Sequence, residues 1–124
     1  MYRKGPRITT EGCTRVIEYI HANASGNISL ATMAKIAEVT PHHFASLFRN
    51  ATGLSPHQYV LRARIERAKI HLKDDKLSVA QVSSLVGFRT QEHFTKVFRR
   101  VVGVTPSMFR EELANEASGD TRLG

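Results

Sequence analysis

The fold is decided by two related stretches, ISLATMAKIAEVTPHHFASLFRN at residues 28–50 and LSVAQVSSLVGFRTQEHFTKVFRR at residues 77–100. Ser29 matches Ser78 at an offset of 49 residues, and one extra residue in the second copy then makes the offset 50. Self-similarity over this length indicates two copies of one supersecondary unit.

Each copy has the signals of two short helices separated by a tight turn. Apolar residues recur at helical spacing, and no alternation typical of a strand is present. In the first copy Ser29 is a suitable N-cap, and Thr40-Pro41 is a cap followed by proline at the first helical position. Ser78 and Thr90 are the equivalent caps of the second copy. Such a pair of helices predicts a helix-turn-helix, and the fold class is all-α.

Both copies end alike, with GLSP at residues 53–56 and GVTP at residues 103–106. Glycine suits the left-handed residue that ends a helix, and proline suits the start of the next. We therefore expect about seven helices, with two helix-turn-helix subdomains joined by a long linker helix over about 56–73. That helix would be about 27 Å long, comparable to one turn of DNA at about 34 Å. Two apolar stripes indicate that it touches both subdomains: Tyr59, Ala63 and Ile70 on one side, and Leu61, Ile65, Ala68 and Leu72 on another.

The predicted organisation has three parts. A basic flexible arm (1–10) precedes a double helix-turn-helix domain (11–113), and a disordered tail (114–124) follows it. Within the domain the first motif covers about 29–51 and the second about 78–101.

The composition favours a polyanionic partner. The 124 residues include 18 Lys and Arg against 11 Asp and Glu, a formal net charge of +7, which suits nucleic acid or an anionic membrane surface. No apolar run of about 18 residues and no signal core is present, so we expect a cytoplasmic protein without a membrane role.

The residues suggest no catalytic, metal or cofactor site. The one cysteine cannot form an internal disulfide or a cysteine-rich zinc site. Cys13 shares an apolar stripe with Val16, Ile17 and Ile20 and is interpreted as a core residue. His42 and His43 are adjacent and cannot form the i, i+4 pair of a helical metal site.

The stretch from Gly87 to Arg100, with GVTP at 103–106 and Phe109-Arg110 after it, resembles the AraC/XylS family of transcription regulators. The resemblance covers about 16–112. It implies that the third and sixth helices enter adjacent major grooves of an asymmetric site, often bending the DNA. Glu38 departs from the pattern, because the family usually has glycine there. A non-glycine residue with positive φ costs about 1 kcal/mol, so a left-handed turn is less favourable in the first motif than in the second.

Helical periodicity separates an inner and an outer arc on each recognition helix. The inner arcs are Phe44, Leu47, Phe48 and Ala51, and Phe94, Val97, Phe98 and Val101. Base edges are read from the N-terminal part of such a helix. The outer positions there are His42, Ala45, Ser46, Glu92, Thr95 and Lys96, and Gln91 and His93 flank them at the N-terminal end of the sixth helix. All of these are candidates for base reading, and all except Ala45 also match the family's base-contacting positions.

These side chains differ in what they can read. Gln91 can bond adenine at two points, Glu92 can accept from a cytosine amino group, and Lys96 can donate to guanine. Ala45 can at most meet a thymine methyl group, so weak discrimination is expected from the first motif. Charge and helix N-termini suit another set to phosphates: Thr40, Arg49, Thr90, Arg99 and Arg100.

The predicted function is sequence-specific binding of double-stranded DNA and regulation of transcription, without enzyme activity. The alternative is a helical protein-interaction module, for example one contacting RNA polymerase, with only non-specific DNA affinity. The chain is either a complete regulator or the DNA-binding part of a longer one. A small-molecule effector is expected only if a further domain exists outside this chain.

Overall fold

The computed structural model describes residues 10–122, with side chains from 11 to 117. Within these residues the chain forms seven helices and no strand, which confirms the predicted all-α class. The helices are α1 Thr10–Asn23, α2 Leu30–Ala37, α3 Pro41–Thr52, α4 Pro56–His71, α5 Val79–Leu85, α6 Gln91–Val102 and α7 Pro106–Arg122. They divide into two compact units, one up to Ala63 and one from Arg64 onward, so the boundary falls within α4.

The helix ends follow from the residues that cap them. The backbone N–H of Thr32 donates to Ser29 Oγ at 3.0 Å, which satisfies one of the unpaired donors at the start of α2. Gly53 and Gly103 end α3 and α6 in the left-handed conformation, with φ of 85° and 100°. The predicted caps at these three helix ends are therefore confirmed.

The first unit is built around buried side chains from all four of its helical segments. The core includes Val16 and Ile20 of α1, Phe44 and Phe48 of α3, and the start of α4. From α2 it includes Met33, Ala34 and Ala37. The rings of Phe44 and Phe48 lie 5.4 Å apart, and Tyr59 meets Phe48 edge to face at 5.5 Å. These rings fix α3 against α4 within this unit.

The second unit repeats this arrangement of rings. Phe94 and Phe98 lie 5.7 Å apart, and Phe98 meets Phe109 at 5.5 Å, which reproduces the first unit's series at an offset of 50 residues. A fourth ring, Phe88, packs on Phe94 at 5.3 Å. Its counterpart in the first unit is Val39, so this contact belongs to the second unit alone.

The linker helix α4 serves the cores of both units in turn. Its first half contributes Val60 and Ala63 to the core of the first unit, and its second half buries Ile65 and Ala68. Leu72, the residue directly after the helix, is buried as well. The predicted stripe through Tyr59, Ala63 and Ile70 is wrong at its end, because Ile70 is 65% exposed. Periodicity identifies the side of a helix that is apolar, but it does not tell how far along the helix that side is covered. The helix ends at His71, two residues before the predicted end.

The structure describes the predicted C-terminal tail over most of its length but little of the predicted N-terminal arm. The basic arm over 1–10 lies outside the described residues apart from Thr10, which begins α1. At the other end α7 continues to Arg122, although a disordered tail is predicted over 114–124. The physical reason is that residues 107–117 contain no proline or glycine and are rich in glutamate and alanine, which are good helix formers.

Candidate nucleic-acid interface

The turn of the first motif contains a strained residue. Three residues separate α2 from α3, and Glu38 ends α2 in the left-handed region with φ 63° and ψ 38°. Its backbone N–H donates toward the carbonyls of Ala34 and Lys35, so the conformation closes the helix. The predicted departure from glycine is thus accommodated with the glycine-like geometry retained. Thr40 precedes α3 as its N-cap, but its side chain makes no capping hydrogen bond.

The turn of the second motif is held by more side-chain contacts. Ser78 and Gln81 form a reciprocal capping box at the start of α5. Gly87 takes φ 104°, as the turn requires. Thr90 Oγ1 accepts the backbone N–H of His93 at 3.1 Å, and the buried hydroxyl of Ser83 donates to the carbonyl of Thr90 at 3.4 Å.

The predicted arcs of α3 agree with the burial of its side chains, with one exception. Phe44 and Phe48 are fully buried and Leu47 is half-buried, whereas Ala51 of the predicted inner arc is exposed. Ala51 lies in the last turn before Thr52, where the helix leaves the core. On the outer arc His42, Ser46 and Arg49 are exposed, and Ala45 is half-buried. The structure therefore brings the predicted first-motif residues together on one accessible face.

The corresponding arcs of α6 are more sharply divided. Phe94, Val97 and Phe98 are buried, and Val101 is half-buried. The outer positions are exposed except for Thr95, which is half-buried. They form one accessible face along α6: Gln91, Glu92, His93, Thr95, Lys96, Arg99 and Arg100.

The charges on the two outer faces differ. On α6 three cationic side chains, Lys96, Arg99 and Arg100, accompany the single carboxylate Glu92. On α3 the only side chain with a permanent charge is Arg49. Within residues 11–117, Arg49, Arg99 and Arg100 form no ion pair, so their guanidinium groups remain available to an anionic ligand. The α6 face is thus the more cationic of the two.

Several contacts beside these faces were not predicted. Phe88 packs edge to face on His93 with ring centroids 5.3 Å apart, and Arg64 Cζ lies 5.7 Å from the Phe88 centroid. Burial lowers the pKa of Arg64 from its ordinary value. In the first unit Arg15 Nη2 pairs with Glu38 Oε2 at 3.4 Å. The position of Phe88 directly after Gly87 was the available signal, but sequence spacing does not show which side of α6 its ring contacts.

Other kinds of site find little support in the described residues. No group of three or more His, Cys, Asp or Glu side chains that could hold a metal occurs there. Cys13 is half-buried against the core of the first unit, and this burial raises the pKa of its thiol. None of the described helices is both long and apolar enough to cross a bilayer.

Comparison with known proteins gives a consistent result. Residues 33–112 match the model of a family described as a helix-turn-helix domain. The probable transcriptional regulator LumQ of Photobacterium leiognathi is 35% identical over 92 residues, which are 74% of this chain and 37% of LumQ. The chain spans about a third to two fifths of the length of the curated relatives it matches.

Two solved structures share the fold. A transcriptional regulator with an AraC-type DNA-binding domain from Chromobacterium violaceum superposes with a TM-score of 0.76 at 25% identity, covering 82% of this chain and 91% of that one. The DNA-binding domain of the global transcriptional factor AdpA, solved in complex with a target DNA, gives a TM-score of 0.68 at 26% identity. That match covers 91% of this chain and 96% of the AdpA domain.

Proposed function

The chain belongs to the AraC/XylS family of helix-turn-helix transcription regulators, and from this premise we propose that it binds one asymmetric duplex site sequence-specifically through α3 and α6. The observation that carries the proposal is the pair of outer faces, each accessible and each mounted on a helix-turn-helix. Duplex DNA as the ligand also implies that the protein works in the cytoplasm.

Specificity is assigned to the N-terminal part of each recognition helix. In α6, Gln91, Glu92 and Lys96 are exposed and offer the donors and acceptors that distinguish base pairs in the major groove. In α3, His42 and Ser46 are the side chains with hydrogen-bonding groups at equivalent positions, and Ala45 supplies only a methyl group. We therefore assign the stronger base discrimination to the second motif.

Affinity is assigned to the cationic groups and to the helix starts. Arg49, Arg99 and Arg100 are exposed and follow the reading positions along their helices, where a recognition helix passes the DNA backbone. Thr40 and Thr90 stand at helix N-termini, which favour phosphate. Binding through these groups releases counterions, so the affinity falls steeply as salt rises.

Selection of bound duplexes from a random DNA library tests this function. We expect an asymmetric consensus with two boxes about one helical turn apart. The affinity for the selected duplex is then compared with that for scrambled DNA at two salt concentrations. If no sequence is enriched and binding only declines with salt, the chain is a basic helical domain without specific readout.

A protein partner is the second candidate, and one surface favours it. The outer side of α5 carries an open groove lined by Leu77, Ala80, Gln81, Ser84 and Leu85, and Leu85 is 48% exposed. RNA polymerase is the partner that a transcription regulator would meet at its site. Loss of promoter activation in Leu85→Asp with unchanged DNA affinity would support this role, and unchanged activation would exclude the groove.

Control by a small-molecule effector would belong to a further domain of the whole protein. The curated relatives are longer than this chain, because the matched stretch makes up only 37%, 42% and 32% of three of them. Within the described residues the candidate binding surfaces are the outer faces of α3 and α6 and the groove on α5, which suit a macromolecule.

A further inference from the structure

One predicted base-reading side chain of α6 packs against a buried ring. The imidazole of His93 and the ring of Phe88 meet edge to face, with centroids 5.3 Å apart and planes at 71°. Phe88 is only 4% exposed, whereas His93 is exposed. The contact therefore joins the core of the second unit to its outer face.

The ring of Phe88 is itself held from other directions. Phe94 lies 5.3 Å away, and the Arg64 guanidinium carbon lies 5.7 Å from the Phe88 centroid, within cation–π range. A buried ring packed in this way keeps one position, because interiors are close-packed. It can therefore serve as a fixed surface for His93.

The backbone of His93 is fixed as well. Its N–H donates to Thr90 Oγ1 at 3.1 Å, and the Ser83 hydroxyl ties the carbonyl of Thr90 to α5 at 3.4 Å. The main chain and the imidazole of His93 are thus both constrained before any ligand arrives.

The first unit lacks this arrangement at the equivalent places. Val39 stands in place of Phe88, and Ala34 stands in place of Ser83. Thr40 makes no capping bond with its side chain. The counterpart of His93 is His43, whose ring meets that of the exposed neighbour His42 at 4.9 Å. No buried ring of the kind provided by Phe88 stands at that position.

We propose that Phe88 is a positioning residue that fixes the imidazole of His93 to read one base edge, which makes the second motif a preorganised reader. This inference rests on the proposed function. A neutral imidazole offers one donor and one acceptor in a rigid plane. A side chain already held in its bound orientation loses little rotamer freedom on binding, so its hydrogen bond contributes more to discrimination.

The test compares Phe88→Leu, which removes the ring, with Phe88→Tyr, which keeps it. Affinities are measured for the selected duplex and for every single base-pair substitution in its second box. Phe88→Leu should lose about fivefold discrimination, the value of one hydrogen bond, at the base pair that His93→Ala also affects. The variant with both Phe88→Leu and His93→Ala should lose no more base discrimination than His93→Ala alone. Phe88→Leu should leave the salt dependence of DNA affinity unchanged. Phe88→Tyr should retain the preference at that base pair.

Phe109→Leu is the matched control, because it makes the same change at another ring of the same unit that contacts Phe98. It should lower stability without shifting any base preference. An equal loss of affinity on every duplex for Phe88→Leu would overturn the inference alone. Failure of the unchanged chain to select a consensus would overturn the proposed function, and this inference with it.

A measurement on the unchanged chain covers the case in which Phe88→Leu does not fold. Three-bond NMR couplings report the χ1 rotamers of His93 in the free protein. One rotamer, kept on binding the selected duplex, supports the inference. Averaging over several rotamers in the free chain overturns it.

Discussion

At the scale of single residues, the two recognition helices carry different chemistry on similar frames. The outer face of α6 combines Glu92 and Lys96 with two arginines, whereas α3 presents Arg49 beside histidine, serine and alanine. Base reading and phosphate binding should therefore separate under mutation. At Glu38 the left-handed backbone conformation, and not a contact of the side chain, determines the residue's effect on stability.

Arg49→Ala and Glu92→Ala should have different effects on DNA binding. Arg49→Ala should weaken binding by a similar factor on all duplexes and lower the slope of log affinity against log salt by about 1, because one phosphate contact is lost. Glu92→Ala should relax the preference at one base pair by roughly 1–3 kcal/mol. Quantitative binding to a panel of duplexes at several salt concentrations measures both effects.

Lys69→Ala is the control for charge, since Lys69 pairs with Glu66 on α4 and lies outside the recognition helices. It should leave the base preferences unchanged. If Arg49→Ala changed base preference instead of overall affinity, the assignment of the two roles would be wrong.

Glu38→Gly should stabilise the first unit. A left-handed residue other than glycine costs about 1 kcal/mol, and the ion pair with Arg15 is surface-exposed and contributes little. We expect the free energy of unfolding to rise by about 0.5–1 kcal/mol, measured by urea denaturation. Glu38→Gln removes the charge and keeps the strained backbone, so it should have almost no effect. Equal stabilisation by both variants would point to charge rather than strain.

At the scale of helices, the two recognition helices α3 and α6 have the same length but differ in how their ends are capped. The start of α6 is capped by the Thr90 side chain, and the start of α3 lacks the equivalent bond from Thr40. The segment that follows α4 is held by α7, because Arg110 Nε donates to the carbonyl of Leu72 at 3.1 Å and Nη2 donates to that of Asp74 at 3.2 Å.

Thr90→Ala and Thr40→Ala form a matched pair for stability. Loss of the capping oxygen at Thr90 should lower the free energy of unfolding by about 1 kcal/mol. Thr40→Ala should change it by only a few tenths of a kcal/mol, since no capping bond is lost there. Both variants should weaken DNA binding if both hydroxyls meet phosphates. Thermal and urea unfolding distinguish the two stability effects, and equal losses would contradict the observed difference in capping.

Arg110→Ala should destabilise the second unit by about 1–2 kcal/mol, because two backbone carbonyls in the segment after α4 lose their donor. Arg110→Lys should restore only part of this, since an ammonium group does not present the fork of donors that reaches both oxygens. Hydrogen exchange of amides in α5 and α6 measures the local effect. Protection equal to that of the unchanged chain in Arg110→Ala would show that the contact is not stabilising.

The sequence predicts the elements better than the contacts between them. Proline, glycine and hydroxyl residues indicate helix ends through local chemistry, so the caps at Ser29, Ser78 and Gly53 could be predicted from the sequence. The exposure of Ile70 and the contact between Phe88 and His93 depend on tertiary packing. Periodicity alone does not contain that information, which is why these features emerge only from the structure.

At the scale of the whole molecule, the chain is one supersecondary unit used twice. The rings of Phe44, Phe48 and Tyr59 return as those of Phe94, Phe98 and Phe109 with similar spacings. The repeat could be recognised from sequence because the apolar core positions recur at a nearly constant offset. The outer residues have diverged between the copies, and this divergence supports a site made of two different boxes.

We propose that a single chain reads two boxes in successive major grooves. The most direct test measures the affinity of the chain for the selected duplex with 5 base pairs inserted between the boxes. The insertion turns one box by about half a helical turn. If both motifs bind together, affinity should fall at least as far as when one box is scrambled. Unchanged affinity after the insertion would contradict the claim and would leave a single motif responsible for binding.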